Sequence, residues 1–138
     1  MKKLLIITAM LLAIGGCTKE ISMDDLQNRN EIYYEVNSRT PFTGTAILYY
    51  DNGQIRISSM YRDGKHHGRS EFYAENGALE EIQNWKEGKL DGDWEEYYGD
   101  DDTLSRRTVW KDGVKQYALR FPEPKNKVEE LFEQLEKD

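Results

Sequence analysis

The chain has 138 residues, with 26 acidic against 19 basic side chains and a formal charge of −7 at pH 7. That surplus of acid excludes recognition of nucleic acid by phosphate neutralisation, which needs excess Lys and Arg, and excludes adhesion to anionic lipid by charge. The only cysteine is Cys17, so no internal disulfide can brace the fold.

In chain order, Met1-Lys2-Lys3 is a short basic start, and Leu4 to Ile14 is apolar except for Thr8. Eleven residues are too few to span a bilayer as a helix, which takes about 20. They fit the apolar region of a secretory signal. Small residues then lead into Cys17 in "IGGC", which resembles the lipobox of bacterial lipoproteins. That resemblance implies removal of residues 1–16 and a diacylglycerol thioether on Cys17. The mature chain would carry 17 basic and 26 acidic side chains, about −9. Its attachment to a membrane would then be covalent, each buried acyl methylene contributing roughly 0.8 kcal/mol. Outer-membrane placement facing the periplasm is expected in a two-membrane host, and exposure at the exported cell surface otherwise.

Residues 17–30 lack apolar periodicity and read as a lipidated cysteine with a flexible tether. From Glu31 the pattern changes. "EIYYEV" is strand-like, and after "NSRTPFTG" a repeat begins. Gly44, Gly68 and Gly92 recur every 24 residues, and Gly64, Gly88 and Gly113 at 24 and 25. Tyr49, Tyr73 and Tyr97 form one aromatic column, and Tyr61, Trp85 and Trp110 another. Fixed periods of this length mark repeat architectures. Units of about 44–67, 68–91 and 92–116 each read as a β-hairpin. "GTAILYY", "GRSEFYA" and "GDWEEYY" are first strands, rich in residues that favour sheets. Asn52-Gly53 and Asn76-Gly77 are hairpin signals of the kind in which both turn residues take positive φ. The turns at Gly64, Gly88 and Gly113 join one unit to the next. In the third unit aspartates replace the Asn-Gly turn, one extra residue falls there, and Gln116 stands where a fourth unit's first glycine would fall.

"QYALRF" supplies a last strand that ends at Pro122 and Pro124. Beyond it, 122–138 reads as an amphipathic helix. Asn126 is placed as N-cap with Glu129 three residues on, and Val128, Leu131, Phe132 and Leu135 form one apolar stripe. The expected fold is mainly β: an antiparallel meander of about eight strands over 31–121, in a single curved sheet, followed by that helix.

"YRDGKHHG", "WKEGKLDG" and "YYEVNSRTPFTG" together resemble bacterial MORN-repeat variant proteins over about residues 31–116. Many of these are lipoproteins, and members are often named as antitoxins of toxin–antitoxin systems. The resemblance implies a scaffold that binds protein or lipid, with no catalysis belonging to the repeat itself.

The residues themselves offer little chemistry. His66-His67 would point to opposite faces of a strand, a poor metal pair, and reads as a solvated turn. Asp100-Asp101-Asp102 lacks the alternating ligand spacing and central glycine of a calcium loop. Glu95-Glu96 alternates across a strand, with nothing to suggest a pocket for acid–base work. No catalytic residue, metal or cofactor is expected. The aromatic columns carry the functional expectation, either as structural stacking or as a contact surface, since Tyr and Trp are enriched in interface hot spots. Tyr49, Tyr73, Trp85, Tyr97 and Trp110 are the candidate partner-binding residues, and Gly53, Gly64, Gly77, Gly88 and Gly113 the structural turns. The reading is an envelope lipoprotein whose repeats bind or scaffold a protein. An antitoxin or immunity protein and a carbohydrate-binding surface protein are the alternatives.

Overall fold

The structure, a computed structural model, describes residues 19–99, 103–122 and 135–136. Among these residues eleven strands run in chain order. β1 (Glu20–Ser22) is followed by a 3-10 turn, Met23–Asp25. β2 (Leu26–Arg29) and β3 (Ile32–Glu35) come next. The repeats supply β4 (Gly44–Tyr49), β5 (Ile55–Arg62), β6 (Lys65–Tyr73) and β7 (Leu79–Lys86). They continue with β8 (Lys89–Leu90), β9 (Gly92–Tyr97) and β10 (Leu104–Lys111), and β11 (Val114–Arg120) ends the array.

One large mixed sheet has the order β1-β4-β5-β6-β7-β9-β10-β11, with β8 pairing on β7. From β4 onward it is the antiparallel meander that the repeat pattern predicts. The N-terminal part corrects the expectation. Residues 20–29 are not tether. β1 adds to the sheet in parallel, with Ile21 opposite Ala46. "EIYYEV" does not enter the meander but pairs with β2 as a separate two-stranded sheet. Ile21, Met23, Leu26 and Tyr33 then pack on a buried cluster of Phe42, Ala46 and Tyr61. The physical reason is the open edge of the first unit, whose apolar side chains need cover that no preceding unit supplies.

The two kinds of turn differ. Asp63-Gly64, Glu87-Gly88 and Asp112-Gly113 have both residues at positive φ, from 48° to 81°, as a two-residue primed turn demands. The Asn-Gly turns do not, contrary to expectation. Only Gly53 and Gly77 are at positive φ there. Gly53 N–H donates to Tyr50 O and Tyr50 N–H to Gln54 O, so Asp51-Asn52-Gly53 is a three-residue loop. Asn52 Oδ1 accepts from Gln54 N–H instead of lending its own backbone to the turn. The same bonds recur at Ala74 to Ala78. A bulge next to each of these two loops, at Leu48/Tyr49 and Phe72/Tyr73, absorbs the odd residue.

Successive units are tied at both ends of the hairpins. Gly64, Gly88 and Gly113 N–H groups donate to Phe42, His66 and Leu90 carbonyls, at 2.8 to 2.9 Å. At the other end Tyr50 Oη donates to Tyr73 O, and Tyr98 Oη to Phe121 O. The middle unit has Ala74 at this position, 24 residues after Tyr50 and 24 before Tyr98, and so has no hydroxyl to give. Among the described residues no helix is long and apolar enough to cross a membrane. Cys17 and nearly all of the expected helix, except Pro122, Leu135 and Glu136, lie outside the described residues.

Candidate binding groove

Side chains directly opposite on paired strands share a face of the sheet. The row Ile47, Ser58, Glu71, Ile82, Glu95, Arg107, Leu119 therefore lies on one face. Leu48, Ile57, Phe72, Glu81, Glu96, Arg106 and Arg120 lie on the other. This separates the two aromatic columns. Tyr73 and Tyr97 donate hydroxyls to Glu71 and Glu95, two residues back on their own strands, so they belong to the first face. Trp85 donates from Nε1 to Gln83 Oε1 at 3.1 Å and belongs to the second, with Tyr61 and Trp110. The candidate residues are therefore not one aromatic surface.

The tyrosine face is a lattice of polar ties. Arg107 reaches Glu95 through both Nε and Nη2, at 3.1 and 2.7 Å. Arg69 pairs with Glu71 at 2.8 Å. Tyr49 has Ile47 where Tyr73 and Tyr97 have glutamates, and it stands exposed. These half-exposed ion pairs add little stability singly, but they leave few free groups on this face for a partner.

The tryptophan face is different. Tyr61 on β5, His66 on β6 and Trp85 on β7 form a stack, with centroids 4.4 Å and 4.9 Å apart and tilts of 37° and 30°. Tyr33, from β3, meets the same His66 ring edge-on at 5.5 Å. Trp94 and Trp110 stack farther along, at 6.0 Å. His66 is thus not the solvated turn residue the sequence suggests. The repeat offers the signal that reveals it: two residues before each unit glycine stand Phe42, His66 and Leu90, an apolar column with one imidazole in it. His67 points away, its Nδ1 3.1 Å from Glu87 Oε1.

Beside the stack runs a groove of about 300 Å³. Tyr61, His66, Phe72 and Trp85 form its aromatic wall, with Met23 and Ile57 adding aliphatic surface. Its polar groups are Ser59, Ser70 and Gln83, and no lining residue is acidic, Lys or Arg. Gln83 is engaged, accepting from Trp85 and donating to Glu81. Burial pushes the His66 pKa below its ordinary value and keeps the ring neutral at pH 7. Burial, helped by Tyr33, pushes the Tyr61 phenol well above its usual range, so it stays protonated. Both groups are therefore uncharged at pH 7. The Tyr61 hydroxyl lies 3.4 Å from His66 Nε2, and which of the two donates depends on the imidazole tautomer.

Among known proteins, the family model described as MORN repeat variant matches residues 42–63 and 67–87. No curated protein and no solved structure matches the chain.

Proposed function

We propose that the protein is a non-catalytic module that binds a protein partner on its tryptophan face. One observation carries this reading: three rings from three consecutive strands line an open groove without a charged side chain, on a protein of net charge −7. Uncharged aromatic surface left open beside ordered strands is the usual core of a protein contact. The match to the MORN repeat variant supports it, since MORN repeats are commonly protein- or membrane-binding modules. With the apolar leader and Cys17, the reading extends to a lipid-anchored protein of the cell envelope.

The two faces supply the test. A photo-crosslinking residue placed at Trp110 reports on the tryptophan face, and one at Tyr97 on the tyrosine face. Crosslinks to a discrete envelope protein are expected from position 110 and not from position 97. Crosslinks from position 97 alone would overturn the assignment of the face.

A further inference from the structure

Two polar atoms at the groove are buried without a hydrogen-bond partner: Ser70 Oγ and His66 Nδ1. Ser70 is only 1 % exposed. A buried hydroxyl that has left water without finding a partner is unfavourable, and few such groups occur in a native fold. The fold does not ask for either one. Ser70 stands two residues after its unit glycine, in the column of Ala46, Trp94 and Ala118, and Ala46 is wholly buried without a hydroxyl. His66 occupies the column of Phe42 and Leu90. Both residues belong to the middle unit and both line the same groove, while Trp94 Nε1 and Trp110 Nε1, also buried without a partner, lie outside it.

We propose that this groove is an anchor pocket for one large uncharged apolar side chain of a partner's extended segment, whose adjoining peptide group bonds to Ser70 Oγ and His66 Nδ1. The proposal rests on the protein-binding reading above and names what the partner must present. His66 Nδ1 donates to a carbonyl oxygen in the tautomer whose Nε2 accepts from the Tyr61 phenol, and accepts an N–H in the other. Ser70 Oγ accepts an N–H or donates to a carbonyl. A peptide group has both. The lining has no countercharge, so a charged side chain would lose its hydration without compensation. About 300 Å³ is room for one large side chain and little more. A hexose carries more hydroxyls than these two atoms can satisfy, and both faces of the His66 ring are already covered.

The test uses phage-displayed random dodecapeptides selected on the full chain, followed by titration of the enriched synthetic peptides. Enriched peptides are expected to share one large apolar residue. Ser70→Ala, which installs the first unit's own residue, is expected to weaken them about two- to ten-fold, the range for one hydrogen bond. The same variant should melt no lower than the parent, because the hydroxyl it removes has no partner in the fold. His66→Leu, which installs the third unit's residue, should weaken the same peptides while leaving the sheet folded. Affinity unchanged in both variants overturns the proposal, as does a clear drop in the Ser70→Ala melting temperature. Displacement of the peptides by chitotriose or maltoheptaose would make the groove a sugar site and overturn it too. If no peptide is enriched while position 110 still crosslinks its partner, the anchor pocket falls and the protein-binding reading stands. If both fail, both fall.

Discussion

Gly64, Gly88 and Gly113 share one backbone conformation, with φ of 75°, 81° and 80°, yet they sit against different neighbours. An alanine at any of them meets the left-handed penalty of about 1–2 kcal/mol. At Gly88 and Gly113 the added Cβ touches only Lys65 and Lys89 side chains, no nearer than 3.8 and 3.6 Å. At Gly64 it would collide with Ile32 Cγ2 and stand 2.8 Å from Tyr33 O. That carbonyl is held by Phe42 N–H at 2.9 Å, and Tyr33 N–H in turn donates to Gly64 O, so β3 has no free direction in which to retreat. Ile32 is β-branched and its χ1 is stiff. Overpacking of this kind adds about 1–3 kcal/mol. Gly64→Ala should therefore cost about 2–5 kcal/mol against about 1–2 for Gly88→Ala. For a domain near 100 residues each kcal/mol moves the melting temperature by about 4 °C. Thermal melts followed by circular dichroism, with urea titrations for the free energies, should show Gly64→Ala shifted by at least about one and a half times the Gly88→Ala value. Equal shifts would refute the packing of β3 on the first interunit turn.

Ala74→Tyr should add the interunit tie that Tyr50 and Tyr98 make elsewhere, raising stability by about 0.5–1.5 kcal/mol in urea unfolding. Ala74→Phe, the same ring without the hydroxyl, should not match it, and equal gains would refute the tie. Burial holds the His66 pKa below its unfolded value, so the stability tied to the neutral ring is complete above about pH 6.5 and declines as pH falls through the folded value. Glu81 works in the opposite sense, since burial and then the like charge of Glu96 push its carboxyl up despite the Gln83 hydrogen bond, so acid favours its folded form. The difference in melting temperature between the parent and His66→Leu cancels Glu81 and should grow more unfavourable to the parent from pH 7.5 to 5.5. A difference flat with pH would refute the buried neutral imidazole. Cys17→Ser should abolish fatty-acid labelling and move the protein out of the detergent phase, and continued labelling would refute lipidation at Cys17.

The hairpin array was legible because glycine spacing is a local property. The X-Gly pairs mark where the turns fall, though not which of them take two positive φ values, and three units in step fix the strand order. What was not legible depends on parity and on distant pairing. Whether Tyr73 and Trp85 share a face turns on the loop between them and on the bulge at Phe72/Tyr73, and a one-residue change in either flips every following side chain. β1 has three residues, too few to show alternation, and its partner β4 lies more than 20 residues away. Ser70 reads in sequence as an interruption of an apolar face, and its column of Ala46, Trp94 and Ala118 has no constant size that would announce its burial at 1 % exposure.

The parallel strand β1 bears on how copies of this chain can meet. At that end the large sheet stops in a strand of three residues, too short to template a lasting pairing. At the other end β11 is seven residues long, every one exposed, including Val114, Tyr117 and Leu119. Endless polymerisation by sheet extension needs two adhesive ends that fit one another, so that each added copy presents a new site. Among the described residues only β11 offers so long an edge of the large sheet. Extension of that sheet from copy to copy would therefore require β11 to meet β11 about a twofold axis, which uses both long edges. The first unit's cover thus removes one of the two ends that an open-ended array would need.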